Sequence, residues 1–195
     1  MQNKDPQMEA LRHRIKHCTD CGLCENARNK VPGDGPLDAR VVLVGEAPGA
    51  QEDKEGKPFV GQAGNLLDDV LREAGLARGE VYITNVVKCK PPGNRNPRKN
   101  EVEECQKHLL EELHIIGPKI IAPLGNTALS YFMDLFKLEK RSIGEVHGEC
   151  LGVSSDWASV LLVPQYHPAA AIYNRNLLPR LREDMKAVAH LMRSL

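Results

Sequence analysis

The amino-acid sequence predicts an α/β fold, a three-layer αβα sandwich around a central four-stranded parallel sheet. Short apolar runs rich in β-branched residues recur at 41–44, 81–87, 119–123 and 160–164, and segments with helical spacing of apolar residues fall between and after them. The runs are apolar throughout rather than alternating, as strands covered by helices on both faces are.

Along the chain, residues 9–17 read as a short helix leading into the first cysteines. Residues 29–39, with Pro32, Gly33, Gly35 and Pro36, read as a loop. The first strand, 41–44, ends at Gly45-Glu46-Ala47-Pro48-Gly49. Leu66, Leu67, Val70, Leu71 and Ala74 lie on one face of a helix over 64–74, and Gly75 stops it. After the second strand comes an irregular connection over 91–100, with Asn100 expected to cap a helix running to about Ile115. The third strand leads to Gly125 and a helix through Met133. Residues 135–156 read as a loop or hairpin. The fourth strand is followed by His167-Pro168 and a terminal helix over 178–195. In open sheets of this kind ligands sit beyond the carboxyl ends of the strands. That singles out 45–49, 85–89, Gly125-Asn126 and His167-Pro168.

Composition narrows the classes. At 195 residues, the chain reads as a single domain over 1–195 with one sizeable core. Hydrophobic residues at 42% and charged residues at 27% suit a globular protein. No apolar run approaches the roughly 18 residues of a membrane span. Residues 1–16 lack the apolar core of a signal peptide. The expected location is the cytoplasm, where disulfides are uncommon. Zero net charge argues against a protein that coats nucleic acid by bulk electrostatics. A local basic groove remains open, because residues 86–100 hold Lys88, Lys90, Arg95, Arg98 and Lys99 and no acid.

In a reducing compartment Cys18, Cys21, Cys24, Cys89, Cys105 and Cys150 are ligands or buried thiols. Cys18-x2-Cys21, with Cys89 at the end of a strand and Cys105 on the next helix, makes a possible four-thiolate site for zinc or an iron–sulfur cluster. Cys18-x2-Cys21-x2-Cys24 also looks like a ferredoxin run, but Arg28 and Asn29 stand where that run wants cysteine and proline. At the strand ends, the two glycines of 45–49 allow close backbone approach to a ligand. Phe59 sits unusually in a Gly/Pro loop, Asn85 offers a side-chain amide, and His167 a titratable ring. Each alone reads as readily as a turn former or a core plug. Their gathering on one sheet edge is the informative observation.

Taken together, Gly45-Glu46-Ala47-Pro48-Gly49, Lys57-Pro58-Phe59-Val60-Gly61, Ile83-Thr84-Asn85-Val86-Val87-Lys88-Cys89-Lys90-Pro91-Pro92 and His167-Pro168-Ala169 resemble a family 4 uracil-DNA glycosylase, the iron–sulfur branch of that superfamily. The resemblance implies a [4Fe–4S] cluster held by Cys18, Cys21, Cys89 and Cys105, with Cys24 and Cys150 outside the ligand set. It implies uracil excision from single- and double-stranded DNA. Phe59 would stack on the flipped base and Asn85 would read its amide edge. Glu52 would crowd C5 against thymine, and His167 would donate a hydrogen bond to O2. Better-known branches carry Asp where Ala47 stands, so Glu46 becomes the candidate for positioning water, with Ala47 lining the uracil site. Lys90, Arg95, Arg98 and Arg175 would face DNA. A monomer is expected, with a sliding clamp as a candidate partner.

Three other readings stay open on sequence: a relative that binds uracil-DNA covalently, an electron-transfer iron–sulfur protein using Cys18, Cys21 and Cys24, and a zinc-stabilised nucleic-acid-binding module. The first needs a reactive histidine in the loop after the second strand, and 90–98 contains none.

Overall fold

The computed structural model describes residues 4–154 and 159–195. Five strands form one sheet: β1 (Val41–Gly45), β2 (Tyr82–Asn85), β3 (Ile120–Pro123), β4 (Leu151–Ser154) and β5 (Ser159–Leu162). Their order is β2-β1-β3-β5-β4. The first four are mutually parallel, and β4 runs antiparallel to β5. The four-stranded parallel sheet expected from sequence is present but carries a fifth, antiparallel strand at one edge. That strand lies in the stretch read as a loop or hairpin, and residues 155 and 156 of the stretch are outside the described residues. Its pattern explains the omission: Val153 is buried while Gly152 and Ser154 are exposed. A four-residue strand with one covered face and a glycine carries little β signal.

The helices are α1 (Lys4–His17), α2 (Ala50–Glu55), α3 (Gln62–Glu73), α4 (Lys99–Ile116), α5 (Gly125–Leu135), α6 (Ile143–Val146), α7 (Pro168–Tyr173) and α8 (Leu178–Ser194). Strand pleating divides the core between two layers. Val41 and Leu43 pack on the side of α3 and α8, with Leu67, Leu71, Leu181 and Met185. Val42 and Val44 pack on the side of α1 and α4, with Leu11, Ile15, Leu109 and Leu113. Continuous burial of β1 follows from having helices on both faces.

The connection leading into α4 departs from expectation at one point. Arg98, not Asn100, is the N-cap residue. The Glu101 carboxylate accepts the Arg98 N–H at 2.7 Å and both guanidinium nitrogens of Arg95, at 2.8 and 2.6 Å. A carboxylate in the first turn satisfies a donor that an N-cap side chain would otherwise take.

Candidate active site and cysteine cavity

Gly45 ends β1 in register with Asn85 at the end of β2. A Cβ on Gly45 would lie 2.4 Å from Asn85 Oδ1 and 2.7 Å from the Phe59 ring. The missing side chain is what lets these two groups reach the same spot. The Phe59 and His167 ring centroids are 5.7 Å apart. Three residues read from three separate segments therefore meet at one strand end. Asn85 is 2% exposed, and its Oδ1 has no hydrogen-bond partner. An orphaned buried acceptor costs about 1–3 kcal/mol unless a ligand or water supplies the donor.

The groups around this spot are held in place. Phe59 has a left-handed backbone, φ 52°. A Cβ on Gly64 of α3 would lie 1.9 Å from the Phe59 carbonyl oxygen, so only glycine fits beneath it. Arg78 donates to the carbonyls of Pro58 and Phe59 and pairs with Asp68. The Glu52 carboxylate accepts N–H bonds from Gly49 at 3.1 Å, Val60 at 2.9 Å and Gly61 at 2.8 Å. It ties the loop after β1 to the loop carrying Phe59, and is no free surface acid. Half-buried Glu46 is also anchored: the Thr127 hydroxyl, near the start of α5, donates to its Oε2. Ala47 follows, half-buried, in the same loop.

His167 caps α7. Its Nδ1 accepts the Ala169 N–H at 3.1 Å, which puts the ring proton on Nε2. Burial lowers its pKa from 6.5 to about 4, against a smaller opposing pull from the Glu52 charge. The ring is thus a neutral Nε2–H donor at physiological pH.

A second cavity is lined by Cys18, Cys21, Cys24, Cys89 and Cys105, with Lys30, Lys88 and His108 around them. Burial pushes the Cys89 thiol up to about 12 and the Cys105 thiol to about 11, and raises those of Cys18 and Cys21. Such thiols ionise at neutral pH only when a cation takes the place of the proton. Lys88 N–H donates to Cys105 Sγ at 3.3 Å. Cys18 Sγ lies 3.2 Å from Asp20 Oδ2 and 3.4 Å from His108 Nε2. These three side chains offer donor atoms mutually within 4.8 Å; no three cysteine sulfurs do so among the described residues. Cys150 is exposed and lies outside the lining.

The basic residues fare unequally. Arg98 and Arg175 are exposed and Lys90 is partly so. Arg95 is engaged by Glu101. Lys88, counted with the basic loop on sequence, is 1% exposed and cannot face a ligand in solvent. Three features escaped sequence reasoning. Thr127 gave no signal beyond following Gly125-Asn126. The Lys88–Glu112 pair spans 24 residues, beyond any local pattern. Tyr173, at the end of α7, is 93% exposed; its place six residues after His167 was the available clue.

With this geometry established, similarity to known proteins bears on it. The profile of the Uracil DNA glycosylase superfamily matches residues 32–191. The chain is 46% identical over 177 residues to a type-4 uracil-DNA glycosylase of Thermotoga maritima, covering 90% of this chain and 88% of that one. It is 42% identical over 185 residues to the type-4 enzyme of Sulfurisphaera tokodaii, covering 94% and 84%. Identity to a type-5 uracil-DNA glycosylase of Pyrobaculum aerophilum is 34% over 163 residues, covering 76% and 69%. The chain therefore belongs to the uracil DNA glycosylase superfamily and, within it, to the type-4 branch.

Proposed function

We propose that this protein hydrolyses the N-glycosidic bond of deoxyuridine in DNA, releasing uracil and leaving an abasic site that initiates base excision repair. The observation that carries this reading is the meeting of Phe59, Asn85 and His167 at Gly45, with Asn85 Oδ1 buried and unpartnered. A plate, an amide and a hydrogen-bond donor gathered at one strand end suit a single pyrimidine ring. The target bond is out of reach inside a duplex, so the nucleotide must swing out of the stack.

In this reading Phe59 stacks on the base. Asn85 Oδ1 accepts uracil N3–H while the amide nitrogen donates to O4. Cytosine offers the reversed pattern, leaving buried polar groups unpaired. Glu52, held by three backbone N–H groups, stands against C5 and rejects the thymine methyl. As the C1′–N1 bond breaks, its electron pair passes to the base, and His167 Nε2–H stabilises the charge arriving at O2. Water adds to C1′ from a position set by Glu46, whose carboxylate the Thr127 hydroxyl orients, and the proton it loses neutralises the uracil anion released. Ala47 leaves room beside it. Lys90, Arg98 and Arg175 contact phosphates, and Tyr173 offers an exposed ring to a neighbouring base. The enzyme acts as a cytoplasmic monomer.

The cysteine cavity fits an iron–sulfur cluster better than zinc. A tetrahedral zinc ion with bonds of about 2.3 Å needs four sulfurs about 3.8 Å apart, and among the described residues no three cysteine sulfurs lie within 4.8 Å of one another. Cys18, Cys21, Cys89 and Cys105 would hold a [4Fe–4S] cluster, with Lys30 beside them offsetting part of its charge. When bound it supplies structural cross-linking, fixing the 89–105 connection to the N-terminal segment. The test is alkali cleavage of a uracil-containing oligonucleotide after incubation with cluster-loaded protein. Strand scission at uracil and none at cytosine or thymine is the expected result. An intact strand, or a protein–DNA adduct surviving denaturing electrophoresis, would reject turnover.

A further inference from the structure

Between the base-reading amide and the cysteine cavity lies a buried charge that neither role uses. Lys88 is 1% exposed and Glu112 fully buried, with Nζ and Oε2 2.7 Å apart. The same ammonium donates to Thr84 Oγ1 at 2.7 Å and to the backbone carbonyl of Asn85 at 2.8 Å. All three of its donors are used. The Thr84 hydroxyl donates to Glu112 Oε2 at 2.7 Å, and Glu112 Oε1 accepts the Gly33 N–H at 2.7 Å. Lys88, Thr84 and Glu112 each bond the other two.

Stability alone is a poor account of such a pair, because apolar side chains of similar volume often stabilise a core as well or better. Its position is informative. Asn85 is the last residue of β2, and its carbonyl lies where the strand ends. An ammonium on that carbonyl fixes the peptide plane after Asn85, and with it the direction in which the Asn85 side chain leaves the backbone. On its other side Lys88 bonds Cys105 through its own N–H. One residue thus touches both the cysteine cavity and the base reader.

We infer that Lys88, held by Glu112 and Thr84, is a positioning residue that aims the Asn85 amide at the base and ties that aim to the cysteine cavity. The inference rests on the glycosylase reading and deepens it. It gives the cavity a part in recognition while keeping it remote from the chemistry.

The experiment is a double-mutant cycle on the full, cluster-loaded protein. Lys88→Met/Glu112→Gln removes both charges while leaving the Gly33 N–H an acceptor. Two quantities are measured with and without Asn85→Ala: kcat/KM for a uracil oligonucleotide and the inhibition constant of free uracil. Misaiming by a fraction of an ångström should lower kcat/KM about 100-fold. Uracil inhibition should weaken about tenfold, the equivalent of one hydrogen bond. In the Asn85→Ala background the same pair of changes should alter neither quantity further, because its only route of action is gone. Equal losses in both backgrounds, or none with Asn85 intact, would overturn the assignment, and a lowered melting temperature alone would count as none. If the double variant loses its visible chromophore, Thr84→Val runs in the same cycle with the same expectations. Uracil release by the unaltered protein checks the glycosylase reading separately, so failure of one is distinguishable from failure of the other.

Discussion

At His167 a single proton is decided by two contacts. The Ala169 N–H occupies Nδ1, and burial holds the ring neutral down to about pH 4. Between that value and the ordinary 6.5 an unfolded chain would bind a proton at this residue while the folded one does not. Acidification through that window therefore favours unfolding, and above it the residue adds no pH dependence to stability. The neutral form is also the donor assigned to O2. Single-turnover excision should stay level from mildly alkaline pH down through 6.5 and decline only toward 4. A fall centred on 6.5, absent from a His167→Asn variant, would show the ring titrating normally and remove the basis for its role. His167 was legible as a candidate in sequence only through its place at a strand end on the same sheet edge as Asn85. Its protonation was not, since that depends on burial by segments far away in the chain. Lys88 fails for the same reason: nothing local distinguishes a buried lysine from its exposed neighbours Arg98 and Lys99.

Among the elements, strands and long helices were readable because apolar spacing repeats over several residues. α4 runs from Lys99 to Ile116, close to the expected 100–115. Its start was misassigned because the capping carboxylate comes from Glu101, inside the helix, and is shared with Arg95. β4 escaped because one covered face over four residues leaves only one buried side chain. The cysteine spacing pointed to a four-thiolate site, yet the structure brings a fifth, Cys24, to the same cavity. Ligand choice among five thiols is a question of reach. Cys89 follows β2 closely and Cys105 sits on α4, so both are carried by the scaffold, whereas Cys18, Cys21 and Cys24 lie in or beside one 3-10 turn, and the likeness to the type-4 enzymes is what leaves Cys24 out of the proposed set. Cys89→Ser should abolish the brown chromophore and lower the melting temperature. Cys24→Ser should keep both near those of the unaltered protein. Absorption spectra and thermal melts of the two variants check this, and the reverse pattern would reassign the ligands.

For the molecule as a whole, zero net charge sets how DNA is met. Lys90, Arg98 and Arg175 are the assigned residues free to reach phosphates, Arg95 being spent on Glu101. Three phosphate contacts on duplex DNA give a slope of about −3 for log affinity against log salt. Lys90→Ala should make it shallower by about one, whereas Arg95→Ala should lower the melting temperature and leave the slope nearly unchanged. Titrations at several salt concentrations distinguish the two. The convergence of strand ends was foreseeable from the α/β order; the packing that fixes each group there was not, because it rests on absent side chains. Gly64 is the clearest instance. Its bare backbone seats the Phe59 carbonyl on α3, so the loop that carries the ring is tied to a helix of the main scaffold. The backbone beneath the ring is therefore set before a base arrives, and little disorder is left there to lose on association. Calorimetry of free uracil binding should show heat release as the dominant driving force, with a small entropic opposition.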